Sequence, residues 1–303
     1  MTLTQLRYAI AVADASSVSE AARNLFIAQP SLSASVKELE REIGKELFCR
    51  TNRGISLTSD GKEFIGYARQ VVEQYELIEA KYINKAALKK RFSVSMQHYT
   101  FAVNAFMETV KEFGMDEYEF AVRESRTYDV IDDVGSFKSE IGILYINDFN
   151  RKVLEKIFRE KEVEFNGIFD CQIYVYMSKR HPLAGEGSVS MQQLQDYPCL
   201  SFDQGNYNSF FFAEEVLSTY EYKRLIKAND RATMLNLMIG LNGYTLCSGI
   251  ICEDLNGSDY CAVKLDCDEH MTIGYIVKKG AVISPLGHKY LEELKKYKDS
   301  VLS

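Results

Sequence analysis

The chain has 303 residues, of which 46% are hydrophobic and 26% charged, with four prolines and a net charge of −7. That length calls for two or three domains rather than one core, and the ordinary composition with few prolines excludes long disordered tracts. No apolar run approaches the roughly 18 residues of a membrane span, and the start MTLTQLRYAIAVADAS lacks the basic and continuously apolar regions of a signal peptide, so a cytoplasmic protein without membrane contact is expected.

The charge is unevenly spread. Residues 1–65 balance Arg7, Arg23, Lys37, Arg41, Lys45, Arg50, Arg53 and Lys62 against eight acidic residues, so the remainder carries all of the negative charge. A neutral head binds DNA only where its cations are gathered on one face. Cysteines at 49, 171, 199, 247, 252, 261 and 267 form no CxxC pair and no zinc spacing with histidine. They read as small apolar residues of a reducing compartment, and neither a metal nor a cofactor is expected.

Leu3, Leu6, Tyr8, Ile10 and Ala13 recur at helical spacing. Ser17 with Glu20 is a capping box that opens a second, short helix through Ala21, Ala22 and Leu25. Pro30 suits the first turn of a third helix, where its missing N–H has no partner to lose. On a wheel of about 100° per residue, Leu32, Val36, Leu39 and Ile43 form the buried stripe of that helix. Pro30, Ser33, Ala34, Lys37 and Arg41 fall opposite, with Ser31 at the edge. Serines are middling helix formers, yet here they fill the first two turns. Small hydroxylated side chains let a helix approach a groove and reach bases or phosphates, and the helix N–H groups attract phosphate. The pattern suits a recognition helix, although hydrated serines on a plain surface helix would look the same. The neighbouring residues favour DNA. Asn52-Arg53-Gly54 is a turn signal and Ile55-Ser56-Leu57 alternates as a strand, so a two-stranded wing would present Arg50 and Arg53. Thr58 then caps the next helix.

The order QPSLS, V-K-E-L-E, E-I-G-K-E-L-F-x-R and G-I-S-L-T-S-D-G, in register from Leu3 to Gly61, resembles the N-terminal winged helix-turn-helix of LysR-type transcriptional regulators. The resemblance implies contacts to double-stranded DNA from Gln29, Pro30, Ser31, Ser33 and Lys37, with Arg50 and Arg53 on the wing. It departs at Ala28, where the family has serine or threonine, and so lacks that side-chain cap and phosphate contact. From Phe64 through Ala68, Val71, Tyr75 and Ile78 to Tyr82 the apolar spacing is that of a coiled-coil seam. The stripe is narrow, which favours a partner chain over the chain's own core. In the family this helix pairs two chains, so the resemblance implies a homodimer or homotetramer on a pseudo-palindromic operator, with RNA polymerase as a further partner. The expected domains are a winged helix-turn-helix at 1–58, a linker helix at 59–90 and an effector domain at 91–303.

Beyond residue 91, short apolar runs (FSVSM, EIGILY, CQIYVYMS, YTLCSGII, MTIGYIV) alternate with helical stretches, an α/β texture with buried strands. There is no GxSxG, P-loop or GxGxxG opening a helix, and His98, His181, His270 and His288 are scattered, so no enzyme is expected. Polar loops at Gln97-His98-Tyr99-Thr100, Glu124-Ser125-Arg126-Thr127 and Asp203-Gln204-Gly205-Asn206 follow or open regular elements where α/β sheets bind ligands. The family's effector domain is similar to periplasmic binding proteins, two lobes joined by crossing strands. Glu140-Ile141-Gly142-Ile143, His181-Pro182-Leu183 and Asn242-Gly243-Tyr244 match its motifs in order. The resemblance places lobe one at about 92–165 plus 269–303 and lobe two at about 166–268, with effector contacts from Gln97, His98, Tyr99, Thr100, Arg126, Thr127, Gly205 and Asn206. Arg126, Arg231 and His98 suit an anionic small-molecule effector, a carboxylate or sulfate. Peroxide-sensing members carry a reactive cysteine near the position of Cys199 and a second one nine residues on. Asn208 stands there instead, leaving disulfide sensing without its partner. The rival reading, a solute-binding or enzymatic α/β protein with a helical dimerisation head, has neither a signal peptide nor a catalytic motif behind it.

Overall fold

The computed structural model describes residues 1–15, 17–51, 54–79, 82, 90–112 and 117–298. The chain divides into two compact units, one of residues 1–90 with 135–138 and one of 91–134 with 139–303.

In the first unit, α1 (Leu3–Asp14) opens on a reciprocal cap between Thr2 and Gln5, and α2 (Val18–Asn24) on Ser17, whose hydroxyl accepts from Glu20 N at 3.2 Å. Helix α3 (Gln29–Ile43) starts at Ala28 without a side-chain cap and stops at Gly44, whose φ of 69° favours glycine. The stripe read from the wheel is the buried one. Leu32 and Val36 pack with Val12, Ala21 and Ala22, while Leu39 joins Ala9, Leu47 and Ile65. Strands β1 (Phe48–Thr51) and β2 (Gly54–Leu57) pair antiparallel, with Arg50 opposite Ile55. The side chain of Arg50, and Asn52 and Arg53 entirely, lie outside the described residues.

Glu40 ties the wing root to α3: its Oε1 accepts from Leu47 N at 2.8 Å and from Phe48 N at 3.2 Å. Thr58 caps α4 (Ser59–Glu79) by accepting from Gly61 N at 2.9 Å, and donates to Glu46 O at 2.7 Å. The expected seam of α4 divides. Phe64 and Ala68 face the core of their own unit, and Arg69 and Glu76 pair with Asp14 and Arg7 of α1. Val71, Tyr75, Ile78 and Tyr82 are 51, 39, 57 and 71% exposed. No described helix is long and apolar enough to cross a membrane.

The second unit holds two sheets. The chain runs β3 (Lys90–Met96), α5 (Thr100–Glu112), β4 (Tyr118–Glu124), α6 (Thr127–Gly135), β5 (Ile141–Ile146), α7 (Arg151–Glu160) and β6 (Val163–Gln172). It then passes through β7 (Tyr174–Ser178), β8 (Ser188–Val189), α8 (Met191–Leu194), β9 (Cys199–Phe202), 3-10 turns at Gly205–Tyr207 and Phe210–Phe212, and β10 (Leu225–Ala228). After α9 (Arg231–Leu241), β11 (Tyr244–Cys247), α10 (Glu253–Asn256) and β12 (Tyr260–Leu265) it returns through β13 (His270–Lys278) to α11 (Pro285–Lys295). The first lobe is the five-stranded sheet β4-β3-β5-β13-β6, and the second the six-stranded sheet β10-β9-β11-β7-β12-β8.

β6 pairs with β13 from Val163 opposite Lys278 to Gln172 opposite His270. The chain therefore changes lobes at Ile173, so the expected boundary at 165/166 falls within β6. The run CQIYVYMS reads as one apolar strand in sequence, but it is shared between β6 and β7. Glu140 shows why an acidic residue precedes β5: its carboxylate accepts from Ser284 N at 2.7 Å and Ser284 Oγ at 2.9 Å, holding the cap of α11.

The tightest requirement of the first unit is at Gly61, where an added Cβ would sit 1.9 Å from the carbonyl oxygen of Leu47. Gly61→Ala must push the α4 start off the wing root, and we expect a loss of about 1–3 kcal/mol in chemical denaturation followed by circular dichroism.

Candidate recognition helix and interlobe cleft

Gln29, Pro30, Ser31 and Lys37 lie exposed on α3, and Ser33 half-buried between them. Gln29 is anchored from α2 through Ser19 Oγ, which donates to its Oε1 at 3.0 Å. Helix N–H groups, small hydroxyls and one cation thus share an outward row, with the apolar stripe turned inward. Phe26, in the turn before α3, has a φ of 55° and is 95% exposed. Its aromatic side chain in solvent was not singled out from the sequence.

In the second unit the loops after β3, β4 and β9 meet across the two lobes. His98 donates from its backbone N to Glu214 Oε2 at 2.9 Å, and its Nδ1 lies 2.8 Å from the same oxygen. The imidazole stacks on Phe202 with centroids 3.7 Å apart and planes 5° from parallel. Glu214 Oε1 accepts from Gln204 Nε2 at 3.0 Å, and Gln204 Oε1 in turn accepts from Thr127 N at 3.0 Å. Thr127 Oγ1 donates to Phe212 O at 2.8 Å, and Tyr145 Oη to Ala213 O at 3.0 Å. Segment 203–216 of the second lobe is thereby fastened to the first. Stacking of Tyr128 on Tyr207 at 3.7 Å and of Phe149 on Phe211 at 4.7 Å extends that contact.

Inside this ring lies a cavity of about 90 Å³ with His98, Tyr176, Phe202, Glu215, Arg231 and Thr245 among its walls. A second cavity of about 210 Å³ reaches Cys199, Asn208 and Lys227. Phe202 and Glu215 line both. Asn256 Nδ2 donates to Thr100 Oγ1 at 3.1 Å and to Tyr176 Oη at 3.2 Å. Arg231 reaches Thr100 and forms an ion pair with Glu124. Glu215 accepts from Ser201 Oγ at 2.7 Å and Phe202 N at 3.0 Å. Burial pushes the Tyr99 and Tyr145 hydroxyls far above their ordinary range, which keeps them donors.

Of the eight residues read from sequence, His98, Tyr99 and Thr100 line the cavity. Gln97 is fully buried, donating to Thr127 Oγ1 at 2.6 Å while its Oε1 accepts from Tyr99 Oη and Tyr145 N, so it and Thr127 hold the frame. Arg126 donates to Asp203 O at 3.0 Å and Oδ2 at 3.1 Å, Gly205 packs against its guanidinium, and Asn206 is exposed; none of the three is on the cavity wall. The three side chains assigned to an anionic effector each meet a carboxylate of the chain: Arg126 that of Asp203, Arg231 that of Glu124, and His98 that of Glu214. Glu214, Glu215 and Thr245 were missed. In the run FFFAEEV the two carboxylates carry no sequence sign of burial.

Residues 3–62 match the bacterial regulatory helix-turn-helix proteins of the lysR family, and residues 99–298 the LysR substrate binding domain. The chain belongs to the LysR family. Its N-terminal domain is of that family's helix-turn-helix type and its C-terminal domain of its substrate-binding type. Among LysR relatives, the RuBisCO operon transcriptional regulator of Allochromatium vinosum is 27% identical over 212 residues, 68% of this chain and 65% of that one, so the match spans just under two thirds of that relative's length. The uncharacterized regulator YvbU of Bacillus subtilis is 23% identical over 88% of this chain and 91% of its own. A full-length OxyR variant of Pseudomonas aeruginosa shares the LysR fold with a TM-score of 0.64 at 19% identity, covering 98% of this chain and 94% of that one. Cys199 of this LysR protein is buried, and desolvation holds its thiol far above the ordinary range, so it stays protonated.

Burial, and then the neighbouring Glu214, pushes the Glu215 carboxyl up to about 8 from an ordinary value of 4.5. Between those two values the folded chain keeps a proton that the unfolded chain has released, so the contribution of this group to stability falls as pH rises. Glu215→Gln cannot ionise. Relative to the parent it should gain stability from about pH 5 to about pH 8 and level off above that, by on the order of a few kcal/mol at the plateau. Thermal unfolding across that range checks it, and a pH-independent difference would show that Glu215 ionises normally.

Proposed function

We propose that the chain binds a pseudo-palindromic operator as a homodimer or homotetramer through α3, and that a small molecule in the interlobe cleft sets its affinity for that site. The observation that carries the reading is the outward row of α3, where Gln29, Pro30, Ser31 and Lys37 stay exposed while the helix buries its opposite stripe. Such a row fits a major groove, with N-terminal residues at base edges and Lys37 at phosphate. Arg50 and Arg53 on the wing complete the proposed contact set. Pairing of two chains is supported by Val71, Tyr75, Ile78 and Tyr82, a helical row left exposed by the first unit's own core. The names of its relatives as transcriptional regulators agree. Action in the cytoplasm, beside RNA polymerase, belongs to the same proposal.

The test is selection of genomic fragments by the full-length protein at about physiological salt. Enrichment of a few pseudo-palindromic sites is expected, and no enrichment with or without cell extract contradicts the reading. On a selected site, Lys37→Ala should weaken binding alike across sequences and lower the log–log salt slope by about 1 for each reading helix. Ser33→Leu should abolish discrimination between selected and random fragments. Val71→Glu with Ile78→Glu should halve the mass measured by sedimentation and remove operator binding at nanomolar concentrations. Retention of the parent mass would place the pairing elsewhere.

A further inference from the structure

The loops that lead into α5 and α6, each following a strand's C-terminal end, are natural places for an anion. The chain occupies one N–H of each itself. Glu214 takes His98 N, two residues before α5, at 2.9 Å, and Gln204 takes Thr127 N, at the start of α6, at 3.0 Å. An incoming anion would have to displace these groups and would then lie beside Glu214 and Glu215, which are 7 and 5% exposed. Nor is Arg231 available without breaking its pair with Glu124.

What the cavity leaves open has the opposite character. Thr245, on β11, is 8% exposed, lines the cavity, and its hydroxyl meets no hydrogen-bond partner among the described residues. Phe202, Tyr176 and Glu215 line the same cavity; His98 covers one face of the Phe202 ring, and the Glu215 oxygens already accept from Ser201 Oγ and Phe202 N, with lone pairs to spare. Aromatic faces beside a carboxylate stabilise an ammonium group through the ring quadrupole and a charge-assisted hydrogen bond. A buried hydroxyl with unmet capacity calls for a partner, a water or a polar ligand group held against it.

We propose that the cleft takes a small organic amine, held by Glu215, the faces of Phe202 and Tyr176, and the hydroxyl of Thr245. The inference rests on the effector reading of the cleft and names its ligand class. A volume of about 90 Å³ suits a compound of few heavy atoms. The raised Glu215 carboxyl agrees, since a buried acid with no ion pair among the described residues is what a cationic ligand would complete.

Benzylamine, benzyl alcohol and benzoate share one ring and differ in charge. Each is titrated into the full-length protein, with binding read by saturation-transfer NMR and thermal unfolding, and fragment selection is run on the same preparation. Benzylamine is expected to bind at least tenfold more tightly than benzyl alcohol, and benzoate not to compete with it. Glu215→Gln removes the advantage of the amine over the alcohol. Thr245→Val weakens benzylamine about three- to tenfold, and Thr245→Ser, which keeps the hydroxyl, restores it. Benzoate binding tighter than benzylamine, equal binding of amine and alcohol, or no binding of benzylamine overturns the proposal. If selected DNA sites survive any of these results, the ligand class fails and the regulator reading stands. Loss of selective DNA binding without added ligand counts against the regulator reading alone.

Discussion

One carboxylate oxygen of Glu214 accepts from the backbone N–H of His98 and lies against its ring Nδ1, in the first lobe, while the other accepts from Gln204 in its own. A buried polar group is tolerated when its hydrogen-bonding capacity is filled in this way, and breaking such a set is costly because an unsatisfied partner is left behind. The bridge therefore does more than join two side chains. It seats segment 203–216, so that Gln204 caps the start of α6 and the carbonyls of Phe212 and Ala213 reach Thr127 and Tyr145. The cavity walls depend on that segment staying down.

A ligand controls a protein only as far as it binds one arrangement better than another. Glu215 follows Glu214 directly, so a ligand that draws on Glu215 acts on the residue beside the latch. It also shares Phe202, on which His98 stacks. Chemistry in the cavity and attachment of the two lobes thus use neighbouring atoms. The proposed DNA contacts draw on none of this. They lie on the outward face of α3, opposite buried Leu32, Val36 and Leu39.

Local patterns were legible in the sequence. The wheel of α3, the capping residues Ser17 and Thr58, and the start of the wing all come from spacing and propensity within a few residues. The seam of α4 was half legible. Its period is real, but Phe64 and Ala68 meet the core of their own unit while later members do not. The lobe boundary was not legible, because CQIYVYMS is apolar on both sides of the crossing at Ile173. The charge pairing around the cleft was not legible for a similar reason. Arg126, Arg231 and His98 are visible in a sequence, whereas Asp203, Glu124 and Glu214, which they meet, lie 77, 107 and 116 residues away along the chain.

The interlobe latch requires Glu214 to occupy the N–H of His98, and amide hydrogen exchange followed by NMR observes that proton directly. In the free full-length protein the His98 and Thr127 amides should exchange slowly, and Glu214→Ala should speed exchange at His98 at least tenfold. Exchange at both amides already as fast as in an open loop would contradict the latch, and with it the claim that the chain fills its own anion seats.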